Sequence, residues 1–264
     1  CPSTCGRSTS GARLRHDDGP TMRIETIGDA TLYLGDALDI IGDLPRCNVM
    51  VTDPPYSSGG FSEMGKGSGS IGTTGGDKRI QGDTMSSLGY GELIRRVCRL
   101  ANTDAAYLFT DWRMWPHTTT AVELGGFRVR GMLVWDKGWA GMGMRWKMQH
   151  ELVCWGTKMT AKPGDGLGNV LKAGRSGNAE HPTEKPLNLM EAIIGNAEPG
   201  SVIDPFMGSG TTGVAAIRLG RKFVGIELDS LHFDTACRRI DEAMRSPRLF
   251  DAPKDHGTQM AIDT

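Results

Sequence analysis

Short apolar runs alternate with stretches of helical periodicity along most of this chain. Brief β-branched runs at 23–27 and 31–34, joined by Gly28-Asp29, predict two strands and a hairpin turn. A short helix over 37–42 and an apolar strand over 47–52 follow. Downstream, the pattern predicts a helix over 91–100, with Leu93, Val97 and Leu100 on one face, and strands over 105–109, 127–135 and 151–155. A helix over 112–124 forms despite Pro116. The last third repeats the alternation: helix 187–197, strand 201–204, helix 211–219, strand 222–227, and a helix capped by Ser230 that reaches 244. Strands alternating with helices predict an α/β fold, a doubly wound and mostly parallel sheet.

Polar stretches punctuate this core. Residues 1–21 lack periodicity and read as a disordered extension; Met22 reads as the natural start, with upstream translation or a cloning remnant before it. Residues 57–84 are dense in glycine, serine and threonine and read as a mobile lid. Residues 158–180 are polar and Gly-rich, and the tail 246–264 reads as flexible. One main domain over 22–245 accounts for the rest. At 264 residues and 38% hydrophobic content the chain can bury a full core. The net charge of −1 excludes a global basic field, so any nucleic-acid surface must be local. Six scattered cysteines, four of them in apolar runs, read as reduced thiols rather than a disulfide framework or a metal site. No apolar stretch is long enough to span a membrane and no signal peptide is visible, which predicts a cytoplasmic protein.

Two places concentrate chemistry. The first is Asp53-Pro54-Pro55-Tyr56, directly after the 47–52 strand. Two prolines cannot continue a sheet ladder and hold the chain extended. They present a carboxylate, the Pro54 carbonyl and an aromatic ring at a strand's carboxyl end, where open α/β sheets bind ligands. Two acceptors and a stacking face suit a planar amine; an ordinary Asp-Pro turn with a core tyrosine is the alternative.

The second is Asp204-Pro205-Phe206-Met207-Gly208-Ser209-Gly210-Thr211-Thr212-Gly213, between a strand and a helix. Its glycines have the spacing of a nucleotide-binding turn, and Glu227 ends the next strand, where a carboxylate can take ribose hydroxyls. No lysine follows Gly210, which disfavours a phosphate-binding loop. Asp204 is unwelcome beside a pyrophosphate but suits a ligand with an ammonium group, such as S-adenosylmethionine.

Together these segments resemble the β-type (permuted) DNA amino-methyltransferases, Rossmann-like enzymes that use S-adenosylmethionine to methylate the exocyclic amine of adenine or cytosine. Residues 53–56 are similar to their catalytic motif, and 204–213 to their D-P-F-x-G-S-G-T-T cofactor loop. His181-Pro182-Thr183-Glu184-Lys185-Pro186 is similar to their H-P-T-Q-K-P segment, with Glu184 in place of glutamine, and Gly35-Asp36 to their upstream Gly-Asp. The matches span about 31–243, catalytic half first. The resemblance implies catalytic roles for Asp53, Pro54, Pro55 and Tyr56. It implies a cofactor site of Asp36, Asp53, His181, Thr183, Lys185, Asp204, Phe206, Gly208, Ser209, Gly210, Thr211, Thr212 and Glu227. Within that set, Asp204 and Lys185 would face the methionyl group, Glu227 the ribose, Phe206 the adenosine and Asp36 the adenine. Members of the family often pair as homodimers, and the reaction needs no metal.

Double-stranded DNA is the implied partner. Between 137 and 175 seven cations face two acids and interleave with Trp139 and Trp146; Lys137, Arg145, Lys147 and Lys158 are the candidate DNA contacts within a target-recognition region over 137–180. Aspartate at the first motif position favours adenine N6, with cytosine N4 next. Methylation at a ring carbon would need a cysteine nucleophile, typically preceded by proline, and Cys5, Cys47, Cys98, Cys154 and Cys237 follow other residues. A NAD-linked oxidoreductase would leave 53–56 and 181–186 unexplained, and a catalytically silent DNA-binding relative would not need Asp53 and Tyr56.

Overall fold

The computed structural model describes residues 22–55, 85–140, 145–159, 166–174 and 185–246. The expected extension (1–21), the lid (57–84), Tyr56, residues 181–184 and the tail beyond 246 lie outside the described residues.

The strands are β1 (Arg23–Ile27), β2 (Ala30–Leu34), β3 (Val49–Thr52), β4 (Ala105–Thr110), β5 (Arg128–Asp136), β6 (His150–Thr157), β7 (Val170–Lys172), β8 (Val202–Asp204) and β9 (Phe223–Glu227). The helices are α1 (Ala37–Ile40), α2 (Ser87–Leu100), α3 (Trp115–Leu124), α4 (Leu187–Asn196), α5 (Thr211–Arg218) and α6 (Ser230–Arg245). The nine strands form one sheet in the order β1-β2-β9-β8-β3-β4-β6-β5-β7. Only β1 and β6 run against the others.

Alternation along the central strands explains why both faces are covered. Val49, Val51, Ala105, Tyr107 and Phe109 point to one side, where Ile193 and Ile194 of α4, Val214 and Ile217 of α5, and Phe233 and Ile240 of α6 pack. Met50, Ala106 and Leu108 point to the other, against Tyr90, Ile94 and Val97 of α2 and Val122 of α3. Cys47, Cys98 and Cys154 are buried in this second layer and Cys237 is half-buried, all as free thiols.

The connections fix where a ligand can sit. From β3 the chain crosses through α2 to β4 on one side, whereas from β8 it crosses through α5 to β9 on the other. Strands β3 and β8 are neighbours, pairing Val49 with Val202 and Met50 with Ile203. Crossovers that diverge from adjacent parallel strands leave a crevice at their carboxyl ends. Asp53 and Asp204 flank that crevice.

Local chemistry moves several boundaries. Helix α2 starts at Ser87 rather than 91, because the Ser86 hydroxyl accepts the Gly89 amide while Gly89 and Gly91 blur the helical pattern. Helix α3 starts at Trp115 rather than 112: the Asp111 carboxylate accepts the Arg113 and Met114 amides, and Pro116 falls in the first turn, where its missing N–H costs little. The cap of α6 is Asp229, which accepts the Leu231 and His232 amides, and not Ser230. Strand β7 lies in the polar, Gly-rich stretch 158–180, where the sequence pattern predicts no strand; its three residues carry no period and, among the described residues, pair only with β5.

No helix among the described residues is long and apolar enough to cross a membrane. At Gly213, where α5 meets β9 and α6, a Cβ would lie 2.5 Å from Ile240 Cδ1 and 2.7 Å from Phe223 Cε1. Gly213→Val is expected to cost about 1–3 kcal/mol through overpacking, measured by urea unfolding. A variant as stable as the wild type would show that α5, β9 and α6 do not pack this closely.

Candidate active site

The carboxyl ends of the parallel strands bring distant acids to one edge. Leaving β2 the chain reaches Asp36, β9 ends on Glu227, β8 on Asp204, and β3 delivers Asp53. Because β6 runs the other way, its first residues, His150 and Glu151, join the same edge opposite Asp136 and Trp135.

Asp204 is 2% exposed, and both its oxygens are engaged. Oδ1 accepts from Thr52 Oγ1 at 2.6 Å and from the Phe206 amide at 3.0 Å, and Oδ2 accepts from Thr212 Oγ1 at 2.6 Å. Burial pushes its carboxyl up to about 6 despite these donors. These hydrogen bonds tie β3 to the glycine loop and to the first turn of α5.

That loop is built as a bare cradle. Gly208 has φ 52°, and a Cβ there would meet nothing within 4 Å, so its backbone borders open space. Gly210, at φ 84°, opens α5, and a Cβ would lie 2.9 Å from Ala236 Cβ. Arg239 of α6 donates to the Ser209 carbonyl at 2.9 Å and to its hydroxyl at 2.8 Å, holding the loop from behind. Thr211 and Thr212 are buried and Phe206 half-buried. The Glu227 carboxylate accepts the Gly208 amide and the Asp229 amide, each at 2.8 Å. Asp36 caps α1 through the Leu38 amide, and the preceding Gly35 amide donates to the Glu227 carbonyl at 2.8 Å, which keeps the two acids close. Open backbone flanked by a carboxylate suits a nucleoside: the glycines admit close approach, and Glu227 can exchange an amide for ribose hydroxyls.

Asp53 belongs to a buried charge chain. Its Oδ2 accepts from Lys185 Nζ at 2.5 Å. Lys185 Nζ lies 3.3 Å from Glu151 Oε2, and Lys137 Nζ donates to Glu151 Oε1 at 2.6 Å. Lys185, 8% exposed, also stands 5.2 Å above the Phe109 ring. Asp53 Oδ1 is buried with no hydrogen-bond partner among the described residues. Burial raises the Asp53 carboxyl above the usual carboxylate range, and the Lys185 ammonium only partly offsets this. Burial also works against the Lys185 ammonium and the Glu151 carboxylate, but opposite charges win: Asp53 and then Glu151 leave Lys185 raised, and Lys185 and Lys137 leave Glu151 lowered. Nearby, the Tyr90 hydroxyl pairs with Thr118 at 2.9 Å, and burial pushes the phenol up to about 12.

The basic residues separate. Lys137, a candidate DNA contact, is a member of the charge chain, its side chain 15% exposed and paired with Glu151. Lys158 lies at the opposite edge, beyond Thr157, which pairs with the first residue of β4; its ammonium donates to the Ala101 carbonyl at 2.6 Å and stacks over Phe127. Arg145 and Lys147 remain exposed at the site edge, between β5 and β6, alongside Trp146 (80% exposed) and Met148. Sequence reasoning overlooked Glu151, whose signal is a lone acid at the head of an apolar strand, and Thr52, the hydroxyl immediately before Asp53. Among the described residues, no group of three or more His, Cys, Asp or Glu side chains could hold a metal.

Comparison with known proteins agrees with this geometry. The family model of N6/N4-type DNA methylases, described as DNA methylase, matches residues 160–238. The YubD protein of Escherichia coli (strain K12), a methylase by name, is 30% identical over 222 residues, 80% of this chain and 90% of its own. The type II methyltransferase M2.DpnII of Streptococcus pneumoniae is 28% identical, covering 74% of this chain and 82% of its own. The crystal structure of an M1.HpyAVI–SAM complex superposes with a TM-score of 0.58 at 28% identity, over 80% of this chain and 99% of that one. With the catalytic-type corner on β3 preceding the glycine loop after β8, the chain belongs to the N6/N4 family of DNA amino-methyltransferases in its permuted, β-type order.

Proposed function

We propose that this protein is a DNA adenine-N6 methyltransferase acting on a base withdrawn from the duplex, with Asp53 as the acceptor that orients the amine. The supporting observation is Asp53 itself: one oxygen is held by Lys185, and the other is buried, has no hydrogen-bond partner among the described residues, and flanks the crevice opposite Asp204. A buried acceptor without a donor costs about 1–3 kcal/mol, a cost removed when an amine N–H arrives.

The cofactor is S-adenosylmethionine, which supplies an electrophilic methyl group on a sulfonium. Gly208 and its neighbours in the loop would receive the nucleoside, Glu227 the ribose, and Phe206 and Asp36 the adenosine side. Thr211 and Thr212 shape the turn, and His181, Thr183 and Lys185 close the methionyl side. An exocyclic amine is a weak nucleophile because its lone pair is delocalised into the ring. Asp53 Oδ1 and the Pro54 carbonyl accept its two N–H bonds and favour a pyramidal nitrogen, Tyr56 stacks on the base, and rate comes from alignment and electrostatics. Extraction of the base is required because the amine is otherwise paired and stacked. Arg145 and Lys147 serve as phosphate contacts with Trp146 between them, on the hairpin connection that borders the site.

Digestion of methylated DNA to nucleosides, followed by mass spectrometry, is expected to yield N6-methyladenine, with no product from Asp53→Ala. N4-methylcytosine in its place would overturn the choice of base, and an undiminished rate in Asp53→Ala would remove Asp53 from the chemistry. Replacing both Arg145 and Lys147 by Ala is expected to weaken DNA binding and flatten the dependence of log affinity on log salt by about 2, read by fluorescence anisotropy at several salt concentrations. An unchanged slope would place the phosphate contacts elsewhere.

A further inference from the structure

Lys137, just after β5, and Glu151 on β6 lie outside both the 53–56 corner and the stretch matched by the family model, yet they complete a chain of alternating charge that ends on Asp53. We propose that Lys137 and Glu151 are positioning residues that act through Lys185 to set the charge of Asp53, so that it meets the substrate amine as an anion with Oδ1 turned toward it.

The geometry gives each member one task. Lys185 cannot hold Asp53 Oδ2 in a fixed orientation unless its own ammonium is anchored, and Glu151 supplies the second anchor at 3.3 Å. Glu151 alone would add a second negative charge beside Asp53; Lys137, donating to its other oxygen at 2.6 Å, balances it. Two ammonium and two carboxylate groups then sum to zero in a site whose four side chains are 9–30% exposed. In such surroundings an unbalanced unit charge would be felt strongly. The pull on Asp53 has matching signs: Glu151 raises its carboxyl and Lys137 lowers it.

Among the described residues, the charged and titratable groups around Asp53 are Lys185 ahead of α4, Glu151 on β6, Lys137 after β5, Asp204 on β8 and Tyr90 on α2. Tyr90, pushed up to about 12, stays neutral across an assay range. Asp204, near 6, contributes an acid limb of its own, which Thr52→Val should move upward by removing a donor to the carboxylate, and which changes at Lys137 or Glu151 leave in place.

The inference rests on Asp53 as the amine acceptor, and the test separates the two ideas. The pH profile of kcat/KM for DNA methylation is measured for the wild type, Glu151→Gln, Lys137→Gln, Lys137→Arg and Asp53→Asn. Removing the Glu151 charge is expected to shift the acid limb to lower pH and removing the Lys137 charge to shift it to higher pH, each by roughly half a pH unit or more. Lys137→Arg keeps the charge and should restore the wild-type limb. A merely structural role would lower activity in both variants without opposite displacements. Limbs that coincide with the wild type, or that move together, overturn the proposal. If Glu151→Gln does not fold, the contrast between Lys137→Gln and Lys137→Arg decides alone. Retained activity in Asp53→Asn would instead overturn the role of Asp53 itself.

Discussion

Two hydroxyl groups sharing one buried carboxylate hold the halves of this site together. Thr52 belongs to β3 and immediately precedes Asp53; Thr212 lies in the first turn of α5, behind the glycine loop. Both donate to Asp204 at 2.6 Å, and the Phe206 amide adds a third hydrogen bond. Burying a carboxylate costs several kcal/mol, and each hydrogen bond to a charged group returns about 1.5–3 kcal/mol, so the three donors offset much of this cost without cancelling it. The consequence is geometric. The strand that carries Asp53 and the glycine loop after β8 cannot drift apart without leaving Asp204 unsatisfied.

The sheet supplies the setting for this stitch. Crossovers from β3 and β8 diverge to opposite sides, which opens the crevice between them without any need for a separate substrate domain. The antiparallel entry of β6 between β4 and β5 then turns Glu151 toward the same edge. The charge chain through Lys185 is therefore a product of topology: Asp53, Lys185 and the Lys137–Glu151 pair at the β5–β6 connection are distant in sequence, and the strand order brings them together.

Much of this was legible beforehand, and the rest has physical reasons for being hidden. The alternating pattern of strands and helices, the Asp53 corner and the glycine loop are local signals, carried by residues whose neighbours in sequence are also their neighbours in space. The part played by Lys137 was not legible, because a lysine in a Gly- and Trp-rich loop looks the same whether it meets phosphate or a buried glutamate; only its pairing with Glu151 distinguishes them. Lys158 misled for the opposite reason: near in sequence to the basic loop, it is carried by the eight residues of β6 to the far edge of the sheet. That Asp204 also ties the two halves of the site together was not legible, since nothing local reveals that Thr52, more than a hundred residues earlier, donates to it.

The central claim is that the amine acceptor and the nucleoside cradle serve one crevice at the carboxyl ends of β3 and β8. A crystal structure of this protein with bound S-adenosylmethionine tests it most directly. The account requires the nucleoside against Gly208 with its ribose at Glu227, and the sulfonium facing Asp53. A cofactor bound away from the β3–β8 seam, or one whose sulfonium points away from Asp53, would contradict it.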